Sequence, residues 1–111
     1  DPANPDAYVR RADGLLAARK PEEALRELGR ALALEPGAAK WWNARGNALT
    51  RLARWDDALA DLTRACELDP EAANMRADRG AVLERLDRLD EALADYGRAL
   101  ELQPHDPNAT Y

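Results

Sequence analysis

Apolar residues recur three and four positions apart along most of the chain, as in Leu25, Leu28 and Leu32, and again in Leu59, Leu62, Ala65 and Cys66, with charged residues between them. That spacing marks one face of a helix. It predicts six helices, over about residues 5–18, 22–34, 39–52, 56–68, 73–86 and 90–102. Short breaks at Arg19-Lys20-Pro21, Ala53-Arg54-Trp55 and Asp87-Arg88-Leu89 divide the helices within pairs. Glu35-Pro36, Asp69-Pro70 and Gln103-Pro104 end each pair, because proline cannot continue a helix and turns its predecessor away from helical geometry.

The pattern repeats every 34 residues. Pro36, Pro70 and Pro104 fall in one column, with Pro2 a further step back. Ala24, Ala58 and Ala92 form a second column, and Ala31, Ala65 and Ala99 a third. The same step relates Leu25, Leu59 and Leu93, then Leu34, Leu68 and Leu102, then Ala12, Gly46 and Gly80. Columns this regular define a repeat protein. The expected fold is all-α, a single domain over residues 1–111 built of three helical hairpins at about 5–38, 39–72 and 73–106. Pro107-Asn108-Ala109 follows Pro104 as Pro5-Asp6-Ala7 follows Pro2, so residues 107–111 read as the start of a further, truncated helix. If so, the last full helix leaves Leu93, Tyr96 and Leu100 uncovered, and weak self-association through it is expected.

Charge is placed to support these helices. Glu22-Glu23, Asp56-Asp57 and Asp90-Glu91 open the second helix of each pair, at the positive end of its dipole. Arg30, Arg64 and Arg98 stand three residues after Glu27, Asp61 and Asp95, which predicts ion pairs along each helix. Arg11, Arg45 and Arg79 also recur at the repeat spacing. They fit either a half-buried ladder to the same three acids or arginines whose stems lie on the surface with their heads in water.

The residues resemble the tetratricopeptide repeat family over nearly the whole chain. The middle unit meets its signature of bulky, small and proline positions with Trp42, Gly46, Leu49, Ala58, Leu62, Ala65 and Pro70. The first unit does so with Tyr8, Ala12, Leu15, Ala24, Leu28, Ala31 and Pro36. The third has Gly80, Leu83, Ala92, Tyr96, Ala99 and Pro104, but Arg76 replaces the bulky apolar residue, which predicts weaker packing there. Asn43 to Leu49 looks like the variant common in bacterial arrays. Trp41, beside Trp42, is expected at the interface with the first unit or partly exposed.

The resemblance implies a right-handed superhelical solenoid whose first helices line a concave groove for a peptide or protein segment. The groove residues expected to bind are Arg10, Lys40, Asn43, Asn47, Arg51, Asn74 and Arg85. Lys40, Asn43, Asn47 and Arg51 share one face of the central helix, so the amides would bond a peptide backbone and the cations an acidic group. Asp13 and Asp78 flank them and would reject a uniformly acidic ligand. The family members that grip acidic chaperone tails use basic and amide residues where this chain has Val9, Asp13, Ala44, Asn74 and Asp78. A tail clamp of that kind is not expected.

Composition narrows the partners. The net charge of −5 and a pI near 4.9 work against binding nucleic acid, which rests on cations neutralising phosphates. No apolar run is long enough to span a membrane and no signal peptide opens the chain, so the expectation is a soluble module, with the cytoplasm favoured. A start at Asp1 rather than methionine reads as part of a longer polypeptide. No enzyme site, metal or cofactor is expected. His105 is the sole histidine and sits beside Asp106 in a loop, and Cys66, the sole cysteine, falls on an apolar helix face. The alternatives to groove binding are a structural or self-associating segment of a longer solenoid, or a recruiting domain attached to an enzyme elsewhere in the parent chain.

Overall fold

Each hairpin follows from its turn residues. The computed structural model describes residues 4–103. It contains α1 Pro5–Ala17, α2 Pro21–Leu34, α3 Ala39–Arg51, α4 Trp55–Leu68, α5 Ala73–Arg85 and α6 Leu89–Leu102. The expected beginning of a helix at residues 107–111 lies outside the described residues, as do His105 and Asp106. Proline opens α1 and α2, where its missing N–H is not needed, and the Asn4 side chain accepts from the Asp6 N–H at 3.0 Å. The acidic pairs stand in the first turns of α2, α4 and α6.

The first helix of every hairpin ends in the same way. Arg19, Ala53 and Asp87 adopt left-handed φ angles of 63°, 57° and 60°. In the middle unit the Ala53 N–H donates to the Thr50 carbonyl at 3.0 Å and the Arg54 N–H to the Leu49 carbonyl at 3.0 Å. These two bonds are the Schellman closure, usually built on glycine because a Cβ is strained at positive φ. Ala53→Gly is therefore expected to stabilise the fold by about 0.5–1 kcal/mol, the relief of the Cβ clash outweighing the added freedom of the unfolded chain. A rise in the urea unfolding midpoint checks it; a fall would mean that the turn is not strained.

Helices pack in sequence, each on the next, and α3 also touches α5 along one side. The result is elongated, 46 × 31 × 25 Å. Small residues make the crossings possible. A Cβ on Gly46 would lie 2.8 and 2.9 Å from Leu62 side-chain carbons, and one on Gly80 would lie 3.0 Å from the Tyr96 ring. Leu62, fully buried, joins Leu49, Ala58 and Val82 in a cluster reaching from the second hairpin into the third. Trp41 is buried against Ala31 and Leu32, with Tyr8 and Val9 beside it, so it serves the joint with the first unit.

Arg76 does not leave the third unit loosely held. Its Nε donates to the Pro70 carbonyl at 3.2 Å, as Trp42 Nε1 donates to the Pro36 carbonyl at 2.8 Å in the unit before. A guanidinium thus reproduces the indole's bond to the preceding turn, and Nη1 also lies 3.8 Å from Asp95.

The arginine column forms a ladder. Arg45 binds Asp61 through Nε and Nη2 at 2.8 and 3.0 Å, and Arg79 binds Asp95 at 2.6 and 2.7 Å. Both acids are buried. These hydrogen bonds raise the pKa of Arg79 further above its usual value, so its charge is secure. Because Asp61 and Asp95 turn toward the first helix of their own hairpin, the expected pairs with Arg64 and Arg98 do not form. Arg64 instead meets Glu67 at 3.5 Å and Arg98 meets Glu101 at 3.0 Å. Only Glu27 keeps the expected partner, Arg30 at 3.4 Å.

Candidate functional site

The seven expected binding residues lie on α1, α3 and α5, and packing divides them. Asn43 is buried, and its Nδ2 donates to Asp78 Oδ2 at 3.0 Å; Asn47 Nδ2 donates to the same oxygen at 3.1 Å. One N–H of each expected amide donor is therefore spent tying α3 to α5. Arg51 is also engaged, donating through Nη1 to the Leu16 carbonyl at the end of α1, 3.2 Å away. The Arg85 guanidinium stacks over the Trp55 ring at 5.5 Å from its centroid. Asn74 is exposed near the start of α5.

Arg10 and Lys40 are placed differently. With Asp6 and Asp13 they surround a hollow of about 340 Å³ between α1 and α3, floored by Val9, Trp41 and Ala44. Its origin lies in three repeat columns. Asn43, Asn47 and Asp78 fill the space between α3 and α5, but one repeat earlier the same positions are Val9, Asp13 and Ala44. Alanine cannot reach across as Asp78 does, so no carboxylate bridges α1 and α3 at this level, and among the described residues the two helices are tied near their ends, where Arg51 meets the Leu16 carbonyl. None of the four charged side chains around the hollow enters an ion pair or side-chain hydrogen bond with the described residues. The hollow can therefore take an apolar group on its floor and a charge of either sign at its rim.

The sequence did hold the signal for this hollow. Setting the units one above another puts Ala44 under Asp78, and the loss of a bridging carboxylate follows. Position along a helix face alone does not reveal it.

Burial pushes the Cys66 thiol pKa up, against the pull of Arg79 and Arg76, so the sulfur stays protonated and unreactive near neutral pH. Among the described residues no group of His, Cys, Asp and Glu side chains could hold a metal ion, and no helix is long and apolar enough to cross a membrane.

No curated protein matches the chain. Solved structures do. The second TPR of Spaghetti (RPAP3) bound to HSP90 peptide SRMEEVD is similar at a TM-score of 0.86 and 26% identity, over 89% of this chain and 92% of that one. The first TPR of the same protein, bound to the same peptide, gives 0.89 and 25%, over 96% and 85%. MamA gives 0.88 at 22% identity, over 92% of this chain and 60% of that one, a likeness of fold alone. The tetratricopeptide repeat family model matches residues 9–54 and 43–107. With hairpins repeating at 34 residues and small residues at their crossings, this match settles the assignment: the chain belongs to the tetratricopeptide repeat family.

Proposed function

We propose that the chain is a protein-interaction module that binds a peptide or protein segment along the side lined by α1, α3 and α5, anchored in the hollow between α1 and α3. The observation that carries this reading is the ring of Asp6, Arg10, Asp13 and Lys40, unpaired around an apolar floor. Other charges, such as Glu23 and Asp57, also lack partners among the described residues, but these four surround an apolar hollow, where a ligand can meet them together. An apolar side chain would rest on Val9, Trp41 and Ala44, and flanking groups of both signs would meet the rim. Two neighbours of the same fold, bound to HSP90 peptide SRMEEVD, support a peptide as the kind of partner. A run of acids fits this chain poorly, because Asp6 and Asp13 would face it.

Peptides selected against the immobilised chain from a random library provide the test. The winning sequences should combine an apolar residue with neighbouring charges of both signs. Lys40→Glu or Arg10→Glu should weaken the selected peptide by about tenfold, roughly 1.4 kcal/mol, and more so at low salt. Binding that ignores both substitutions but falls when Glu23 or Asp57 is reversed would place the site on the outer face of the second helices instead.

A further inference from the structure

Among the described residues, the first and last helices expose surfaces that are covered inside the array, and they do so in complementary ways. On α6, Leu89, Leu93 and Leu100 are 54%, 68% and 69% exposed. They share one stripe with Gly97. Their counterparts one repeat earlier, Trp55, Leu59 and Cys66, pack against residues of α5 such as Val82 and Met75. What covers this stripe inside the molecule is thus always the first helix of the next unit.

The other end shows the matching defect. Glu27 is 8% exposed, yet its Oε2 has no hydrogen-bond partner. Arg11, which should grip it as Arg45 grips Asp61, touches only Oε1, at 3.6 Å, and its side chain is 64% exposed against 28% for Arg45. The cause is what stands behind each arginine. Arg45 is backed by the preceding unit, its Nη1 lying 3.8 Å from where a Gly29 Cβ would be. Nothing precedes Arg11 among the described residues. Gly97, the counterpart of Gly29, has nothing within 4 Å of its own Cβ position. A glycine inside an exposed helix costs stability, and here it leaves a seat for an arginine.

We infer that a second copy of the chain stacks head to tail on α6, its α1 taking the place of the first helix of a next unit. Arg11 of the incoming copy then sits at Gly97 as Arg45 sits at Gly29, pressed onto Glu27 so that both carboxylate oxygens are bonded. Charge agrees: Arg54 meets Glu22 at 3.5 Å at the first joint, and the same register sets Lys20 of the incoming copy against Asp90. Shape agrees as well. Where α3 and α5 present Trp41 and Met75, α1 presents Ala7, and Gly14 follows on the same stripe, so the projecting leucines of α6 find room. The contact joins unlike surfaces, so it does not close at a dimer but extends. It is separate from the hollow, since Ala7, Arg11 and Gly14 face away from Asp6, Val9 and Asp13 on α1.

Sedimentation of the chain over a concentration series should show an average mass climbing past that of a dimer without a plateau. Two exposed substitutions isolate the ends. Leu93→Asp disables α6, and Gly14→Arg disables α1, where a side chain meets nothing within 4 Å. Each variant alone should be monomeric, and an equimolar mixture should form dimers that stop there. Dimers of Gly14→Arg alone would mean that α6 pairs with α6 and would overturn the proposal. A wild-type chain monomeric at every concentration, with its leucine methyls shielded by residues beyond 103, would overturn it too. Lys40→Glu should leave the assembly unchanged, which keeps this result apart from that for peptide binding.

Discussion

Leu62→Ala is expected to lower the unfolding free energy by about 2–5 kcal/mol, the range for emptying a well-enclosed leucine site. Leu62 is wholly buried and its side chain fills the notch at Gly46, so the surrounding helices would have to move together to close the gap. Two joints depend on it, because its cluster combines Leu49 and Ala58 of its own hairpin with Val82 of the next. In an array whose units are stabilised by their neighbours, a loss in the middle unit uncouples both ends. A domain of this size has roughly 5–15 kcal/mol in total, so a large share would disappear from one substitution. The check is the urea midpoint followed by circular dichroism. Leu100→Ala, at an exposed position, should move it by less than about 0.5 kcal/mol. Equal effects from the two would mean that the hairpin crossing is not where stability resides.

Much of this architecture was legible because it depends on residue size and spacing. The 34-residue columns locate all six helices, each expected boundary falling within one residue of the observed one. Gly46 and Gly80 announce the crossings, since a close approach of helices leaves no room for a side chain. Adjacent tryptophans on a helix must point in different directions, which leaves Trp41 either at the first joint or partly exposed, and it is buried at the joint.

What was not legible depends on how far a side chain reaches and which of two partners it prefers. Asp61 and Asp95 each have an arginine three residues along the same helix and another on the facing helix, and sequence spacing favours the first. The second wins because its guanidinium is held half-buried at bidentate distance, where charge-assisted bonds are stronger than exposed pairs along a helix. Likewise, Asn43 and Asn47 stand on the expected binding face, but Asp78 is close enough to claim both. Spacing along one helix does not show that one N–H of each amide is taken up by a residue of the next unit. The strained turns at Arg19, Ala53 and Asp87 gave no hint, since none is glycine or asparagine.

The ladder makes its own prediction, in which one column of acids carries unequal weight. Asp95→Ala should cost about 3 kcal/mol, the low end for breaking a buried ion pair. Arg79 would lose two short hydrogen bonds, and Arg76, 3.8 Å from the same carboxylate, would be left facing another cation with no anion between them. Water reaches about a fifth of each arginine side chain, 20% and 21%, which keeps the penalty from rising further. Glu27→Ala, the same position in the first unit, should cost no more than about 1 kcal/mol. Its Oε2 is already unpaired, and Arg11 and Arg30, both well exposed, can return to water. Urea unfolding of the two variants at low protein concentration, where chains do not stack, measures the difference. If Glu27→Ala proves as costly as Asp95→Ala in the monomer, Arg11 already grips the carboxylate without help from a second copy, and the vacancy at the amino-terminal end of the array does not exist.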